Sequence, residues 1–170
     1  MAGLDDTKGQ MLELFEALPP EAQVVALDAL QHLKDRDRIA GPFGWLIGYH
    51  YTSRTPGACE CEIEISASHL NPGKIAHGGV IYTLADAAMG AAVMAMLEPG
   101  KRCVTAELKV NYLKPVAAGR VRAHASVLRL GSRLATVTAD LRDDEEDIVA
   151  VALGTFAILS RQFTAEAIGK

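Results

Sequence analysis

His77-Gly78-Gly79 opens the most apolar stretch of the chain, Val80 to Leu97, and a lone carboxylate, Asp86, stands in its middle. Two glycines at a helix start leave N–H groups unpaired at the positive end of the helix dipole. Lacking a Cβ, they let a bulky group come close to the backbone. Such an end binds an oxyanion, and one preorganised donor there is worth about 3 kcal/mol of transition-state stabilisation. Asp86 lies among Leu84, Ala85, Ala87 and Ala88, where a carboxylate is poorly solvated and more basic. It can activate water or attack as a nucleophile, and the sequence does not choose. Blander readings exist: a glycine pair can be a plain turn, His77 a helix cap, and Asp86 a structural acid. A mid-helix acid with no basic residue near it in sequence is costly, which favours a chemical role.

The elements that must position these groups follow from periodicity. Val80 to Leu97 has the length of a membrane span. A central carboxylate is expensive in lipid, and open strands cannot stand there, so the segment reads as a buried helix of a folded domain. Cys59, Cys61, Ile63 and Ile65 alternate with Glu60, Glu62, Glu64 and Ser66, a strand with one buried and one wet face. Trp45 to Ser53 precedes it across the turn Thr55-Pro56-Gly57, which predicts a hairpin. Past the helix, Arg102 to Leu113 alternates with Val104, Ala106, Leu108 and Val110 on one face. Val121 to Leu130 and Leu134 to Arg142 flank a turn at Gly131-Ser132, and Ile148 to Ser160 is the last strand. Asp143 to Asp147, DDEED, reads as a solvated hairpin tip. The expected fold class is α+β, an antiparallel sheet carrying one long central helix.

Residues 1–42 read as a helical extension, 43–162 as the domain and 163–170 as a tail. Helices are expected over residues 5–17 and 20–36, with Pro20 suited to a first turn. The second helix lacks a basic reading face, so packing or an oligomer contact is a better role for the pair than DNA binding.

The 170 residues are 49% hydrophobic, enough for a sizeable core. A net charge of −4 argues against nucleic acid as a partner. Three cysteines, Cys59, Cys61 and Cys103, make neither a disulfide framework nor a zinc pattern and suit a reducing compartment. The first residues lack a basic segment followed by an apolar run, so a cytoplasmic protein without a membrane partner is expected. No G-x-S-x-G elbow is present.

Asn71-Pro72-Gly73, His77-Gly78-Gly79, Leu84-Ala85-Asp86-Ala87-Ala88, Thr105-Ala106-Glu107 and Asn111-Tyr112-Leu113-Lys114-Pro115 occur in that order. Together they resemble the hotdog-fold acyl-CoA thioesterases of the PaaI-like, phenylacetate-pathway type, over about residues 43 to 160. The resemblance implies a sheet wrapped around the central helix, dimers whose sheets join, often two dimers in a tetramer, and acyl-CoA hydrolysis without metal or cofactor. It implies Asp86 as the catalytic carboxylate and the Gly78 N–H as the group polarising the thioester carbonyl. Asn71 and His77 take supporting roles, and Thr105 helps hold water. Gly79 is a substrate-binding candidate. Among the cations near the loops (Lys74, Lys101, Arg102, Lys114, Arg129 and Arg133), Arg129 and Arg133 are candidates for the CoA phosphates. Two other readings are a hotdog acyl-CoA dehydratase using His77 and Asp86, and a non-catalytic acyl-CoA-binding regulatory module. Gly78 and Asp86 are eight residues apart, about 12 Å along a helix axis. One carbonyl cannot touch both, so the site is expected to be shared between two chains.

Overall fold

The computed structural model describes residues 4–37 and 39–159. Ser160, the last residue of the expected final strand, and the tail 163–170 lie outside the described residues. Two helices, α1 (Leu4–Glu16) and α2 (Pro20–Lys34), lead into a short α3 (Gly41–Ile47). Strands β1 (His50–Thr55) and β2 (Ala58–Ile65) form the first hairpin. A 3-10 turn (Ala67–His69) and a loop lead to α4 (Gly78–Met94). Then come β3 (Arg102–Tyr112), β4 (Gly119–Leu130), β5 (Leu134–Arg142) and β6 (Ile148–Leu159). The strands form one six-stranded antiparallel sheet in the order β1-β2-β4-β5-β6-β3. This is the expected hotdog architecture, with the sheet curved about α4.

The composition of α4 explains how six strands fit around it. Val80, Ile81, Leu84, Ala85, Ala88, Met89, Ala92 and Val93 are buried. The facing strand positions are also small: Ala123 and Ala125 on β4, Ala135 and Ala139 on β5, Ala150 and Ala152 on β6. Small residues on both surfaces bring helix and sheet close, so packing comes from proximity rather than side-chain bulk. The helix ends at Met94 rather than running to Leu97.

Two sequence expectations need correction. The first strand does not begin at Trp45. Trp45 lies in α3, whose C-cap Gly48 takes φ +79°, and the strand starts at His50. Pro42 stands in the first turn of α3, where a missing N–H costs nothing. The second correction is in β3. Its pairing with β6 shifts between Thr105 and Glu107, leaving Ala106 as a bulge. The bulge reverses the alternation, so Val104 is 48% exposed and Ala106 is exposed, whereas Leu108 and Val110 pack on the core. Before the bulge it is Cys103 and Thr105 that reach α4.

The extension docks through polar groups. The Asp28 carboxylate on α2 accepts the Ser66 hydroxyl at 2.7 Å and the Ser68 N–H at 3.0 Å. The His32 ring stacks on that of His69, with centroids 5.0 Å apart and planes 4° from parallel. His69 is fully buried, accepts the Ser66 N–H at Nδ1 (3.0 Å) and donates from Nε2 to the Ile47 carbonyl (2.8 Å). Burial holds its pKa below the ordinary value of 6.5.

Candidate active site

The loop before α4 is built on hydrogen bonds. The His69 carbonyl accepts the His77 N–H at 2.8 Å, and the Asn71 side-chain oxygen accepts the Gly73 N–H at 2.8 Å, an Asx turn. His77 is the N-cap of α4: its Nδ1 accepts the Gly79 N–H at 2.9 Å, which leaves the ring proton on Nε2. His77 thus serves as a cap, and the Gly79 N–H is not open to substrate. Among the described residues the Gly78 N–H has no protein acceptor. The carbonyl of Gly78 accepts the Tyr112 hydroxyl at 3.0 Å. A Cβ at position 78 would meet the Tyr112 ring and hydroxyl at 3.2 Å, so glycine here is also a packing requirement.

Asp86 projects from the middle of α4 toward β3. Its Oδ1 accepts the Thr105 hydroxyl at 2.6 Å, a short charge-assisted bond. Asp86 is half-buried. The bulge at Ala106 makes this bond possible, because it puts Thr105 on the helix-facing side of β3.

These groups line two clefts. One, of about 310 Å³, holds Asn71, Gly78, Ile81, Tyr112 and Val116. The other, of about 320 Å³, holds Asp86, Thr105, Ile39, Tyr51, Met94 and Phe156. A single chain therefore pairs Asn71 with Gly78, and Asp86 with Thr105, but does not unite the two pairs.

Residues 73–150 match the family model described as the thioesterase superfamily. A protein of Saccharolobus solfataricus described as a candidate esterase is 32% identical over 112 residues, 66% of this chain and 74% of that protein. The chain belongs to the thioesterase superfamily. Among solved structures, a conserved protein of Pseudomonas aeruginosa is 34% identical with a TM-score of 0.69, over 73% of this chain and 100% of that one. A single-residue variant of the phenylacetic acid degradation protein PaaI from Thermus thermophilus is 31% identical with a TM-score of 0.63, over 68% and 97%. This thioesterase-superfamily chain is a thioester hydrolase.

The cations and thiols of the hydrolase find other employment. Lys114 reaches Asp143 and Asp147 at 2.7 Å each and Glu145 at 3.4 Å. Three carboxylates around one ammonium leave the β5–β6 tip net negative, a poor phosphate site. Arg129 lies on the exposed part of β4 and Arg133 in the β4–β5 turn, and neither lines the two clefts. Cys103 does line the Asp86 cleft, with its thiol directed at the Gly90 carbonyl at 3.6 Å. Burial, with the charge of Asp86, pushes that thiol up to about 11, so it stays protonated and is a weak nucleophile at neutral pH. Cys59 is likewise pushed up to about 11, by burial.

Sequence reasoning missed His69, Asp28, Ile39 and Tyr51. None stands in a motif, and Asp28, His69 and Tyr51 act through partners 38, 22 and 14 residues away. Tyr112 was visible only as part of Asn111 to Pro115.

Proposed function

We propose that this hydrolase cleaves acyl-CoA thioesters in sites shared between two chains, with Asp86 from one and Gly78 and Asn71 from the other. The observation that carries the reading is the 2.6 Å bond from Thr105 to Asp86 at the wall of an open cleft. It orients one carboxylate oxygen and leaves Oδ2 for water. Asp86 takes a proton from that water as its oxygen attacks the thioester carbonyl carbon. The oxyanion is held by the Gly78 N–H, the C–S bond breaks, and the leaving thiolate regains the proton.

Two further observations support a shared site. Gly78 and Asp86 sit on one continuous helix, about 12 Å apart along its axis, whereas reacting atoms must lie within about 3.5 Å. Strand β3 is a sheet edge of 11 residues, with exposed Val104 and Tyr112. A long unpaired edge is a template for pairing, and β3 against a second β3 about a two-fold axis generates two equivalent sites. The three unbridged cysteines fit a cytoplasmic location.

Complementation tests this directly. One parent carries Asp86→Ala and the other Asn71→Ala with His77→Ala. Co-refolded heterodimers contain one site with every defect and one intact site, so thiol release from acyl-CoA returns to about half the sites. Heterodimers that stay inactive while both parents fold would overturn the shared site. Undiminished turnover by Asp86→Asn would overturn the role of the carboxylate.

A further inference from the structure

We propose that the segment joining α2 to α3 selects the acyl group, with Ile39 as a specificity-determining side chain in the Asp86 cleft. This rests on the reading of Asp86 as the catalytic carboxylate. Ile39 is 63% exposed, so it contributes little to folding. It is nevertheless held firmly in place. The Asp37 carboxylate accepts the Ile39 N–H at 2.8 Å and, with its other oxygen, the Tyr51 N–H at 3.0 Å. The Asp37 carbonyl accepts the Trp45 indole N–H at 2.7 Å and the Ala40 N–H at 3.2 Å. Ala40 in turn accepts the Tyr49 hydroxyl at 3.3 Å. Two of these five bonds fold the segment on Asp37, and three tie it to Trp45 of α3, to Tyr49 and to Tyr51 of β1, which sets an exposed isoleucine at the wall of a cleft.

The rest of that cleft shows what Ile39 would meet. From Asp86 the wall runs along α4 through Ala87, Gly90 and Ala91 to Met94, with Phe156 beside it. From Asp86 to Met94 is eight residues, about 12 Å of helix. Small residues leave a trough, and Met94 at its end is an adaptable apolar stop. Arg54, stacked over the Tyr51 ring, also lines the cleft, and the α4 side of it, made of small and apolar residues, accepts an apolar acyl group extending from a thioester carbonyl at Asp86. Ile39 lines the same cleft as these α4 residues, so the selected substrates are acyl groups long enough to reach it.

The test compares kcat/KM for acetyl-CoA and hexanoyl-CoA. In Ile39→Ala the hexanoyl-to-acetyl ratio falls about tenfold, the lower end for a lost apolar contact in a pocket. Asp37→Ala releases the segment and lowers the ratio in the same direction. An unchanged ratio in Ile39→Ala overturns the proposal, and so does an equal loss on both substrates. Ile39 is exposed, so the variant folds, and its melting temperature verifies this. Asp86→Asn is assayed beside it. Survival of turnover there condemns the reading of the site, whereas an inactive Asp86→Asn with an unchanged ratio condemns the role of Ile39 alone.

Discussion

Replacing Thr105 by valine keeps the shape of the side chain and removes one hydroxyl. The hydroxyl donates to Asp86 Oδ1 at 2.6 Å. A hydrogen bond to a charged group is worth about 1.5–3 kcal/mol. Thr105 is exposed, so water screens and partly replaces its bond, and the lower end applies. At 1.36 kcal/mol per factor of ten, about 1.5 kcal/mol is roughly a tenfold loss of kcat. The loss appears in kcat because the hydroxyl touches the carboxylate and not the acyl or CoA parts of the substrate. Valine is at home on a strand, so the melting temperature should hardly move. Thr105→Ser keeps the donor and should retain most of the activity. Steady-state thiol release from an acyl-CoA measures all three proteins. If folded Thr105→Val turns over within twofold of the unsubstituted enzyme, the hydroxyl does not orient the carboxylate and the reasoning fails.

Gly78→Ala places a methyl 3.2 Å from the Tyr112 ring; it should lower kcat/KM, and adding Tyr112→Ala should recover part of the loss if the clash is the cause, which paired kinetics would show. Stability should fall with acid. His69, held below 6.5 by burial, binds a proton more readily unfolded than folded. Burial opposes ionisation of Asp28, but hydrogen bonds from Ser68 and Ser66 outweigh it and hold the carboxyl below 3.8. Both groups make the unfolded chain the better proton binder, so stability is full above pH 6.5 and is lost first through His69, then through Asp28 below 3.8. Urea midpoints at about pH 7.5 and 5 check this, and equal midpoints would contradict it. Gly48→Ala combines a left-handed φ of +79° with a Cβ 2.7 Å from the His32 ring, so it should lower the melting temperature by unseating α2. Replacing Cys59, Cys61 and Cys103 together by alanine should weaken the core yet preserve turnover, and a folded but inactive triple variant would reveal a thiol role.

The sequence by itself determined the fold class, the order of the six strands and of α1, α2 and α4 though not α3, and the carboxylate and glycine pair most suited to chemistry. These are local signals. Alternation in Cys59 to Ile65 reads directly as a half-buried strand, an unbroken apolar run reads as a buried helix, and Asp86 stands out because every neighbour is apolar. The tertiary structure decided what those groups touch. The bond between Thr105 and Asp86 spans 19 residues of sequence and depends on a bulge at Ala106 that no residue type announces. The period-two reading of β3 therefore placed Val104 and Ala106 on the wrong face. Asp28 and Ser66, 38 residues apart, join the extension to the loop carrying Asn71 and His77. Asp37 and Tyr51, 14 apart, hold Ile39 at the cleft. A lone aspartate in a charged run looks like solvated surface until folding supplies its donors. Periodicity encodes which face of an element is buried, whereas hydrogen-bond partners are set by how separate elements meet, and that is fixed only when the sheet closes around α4.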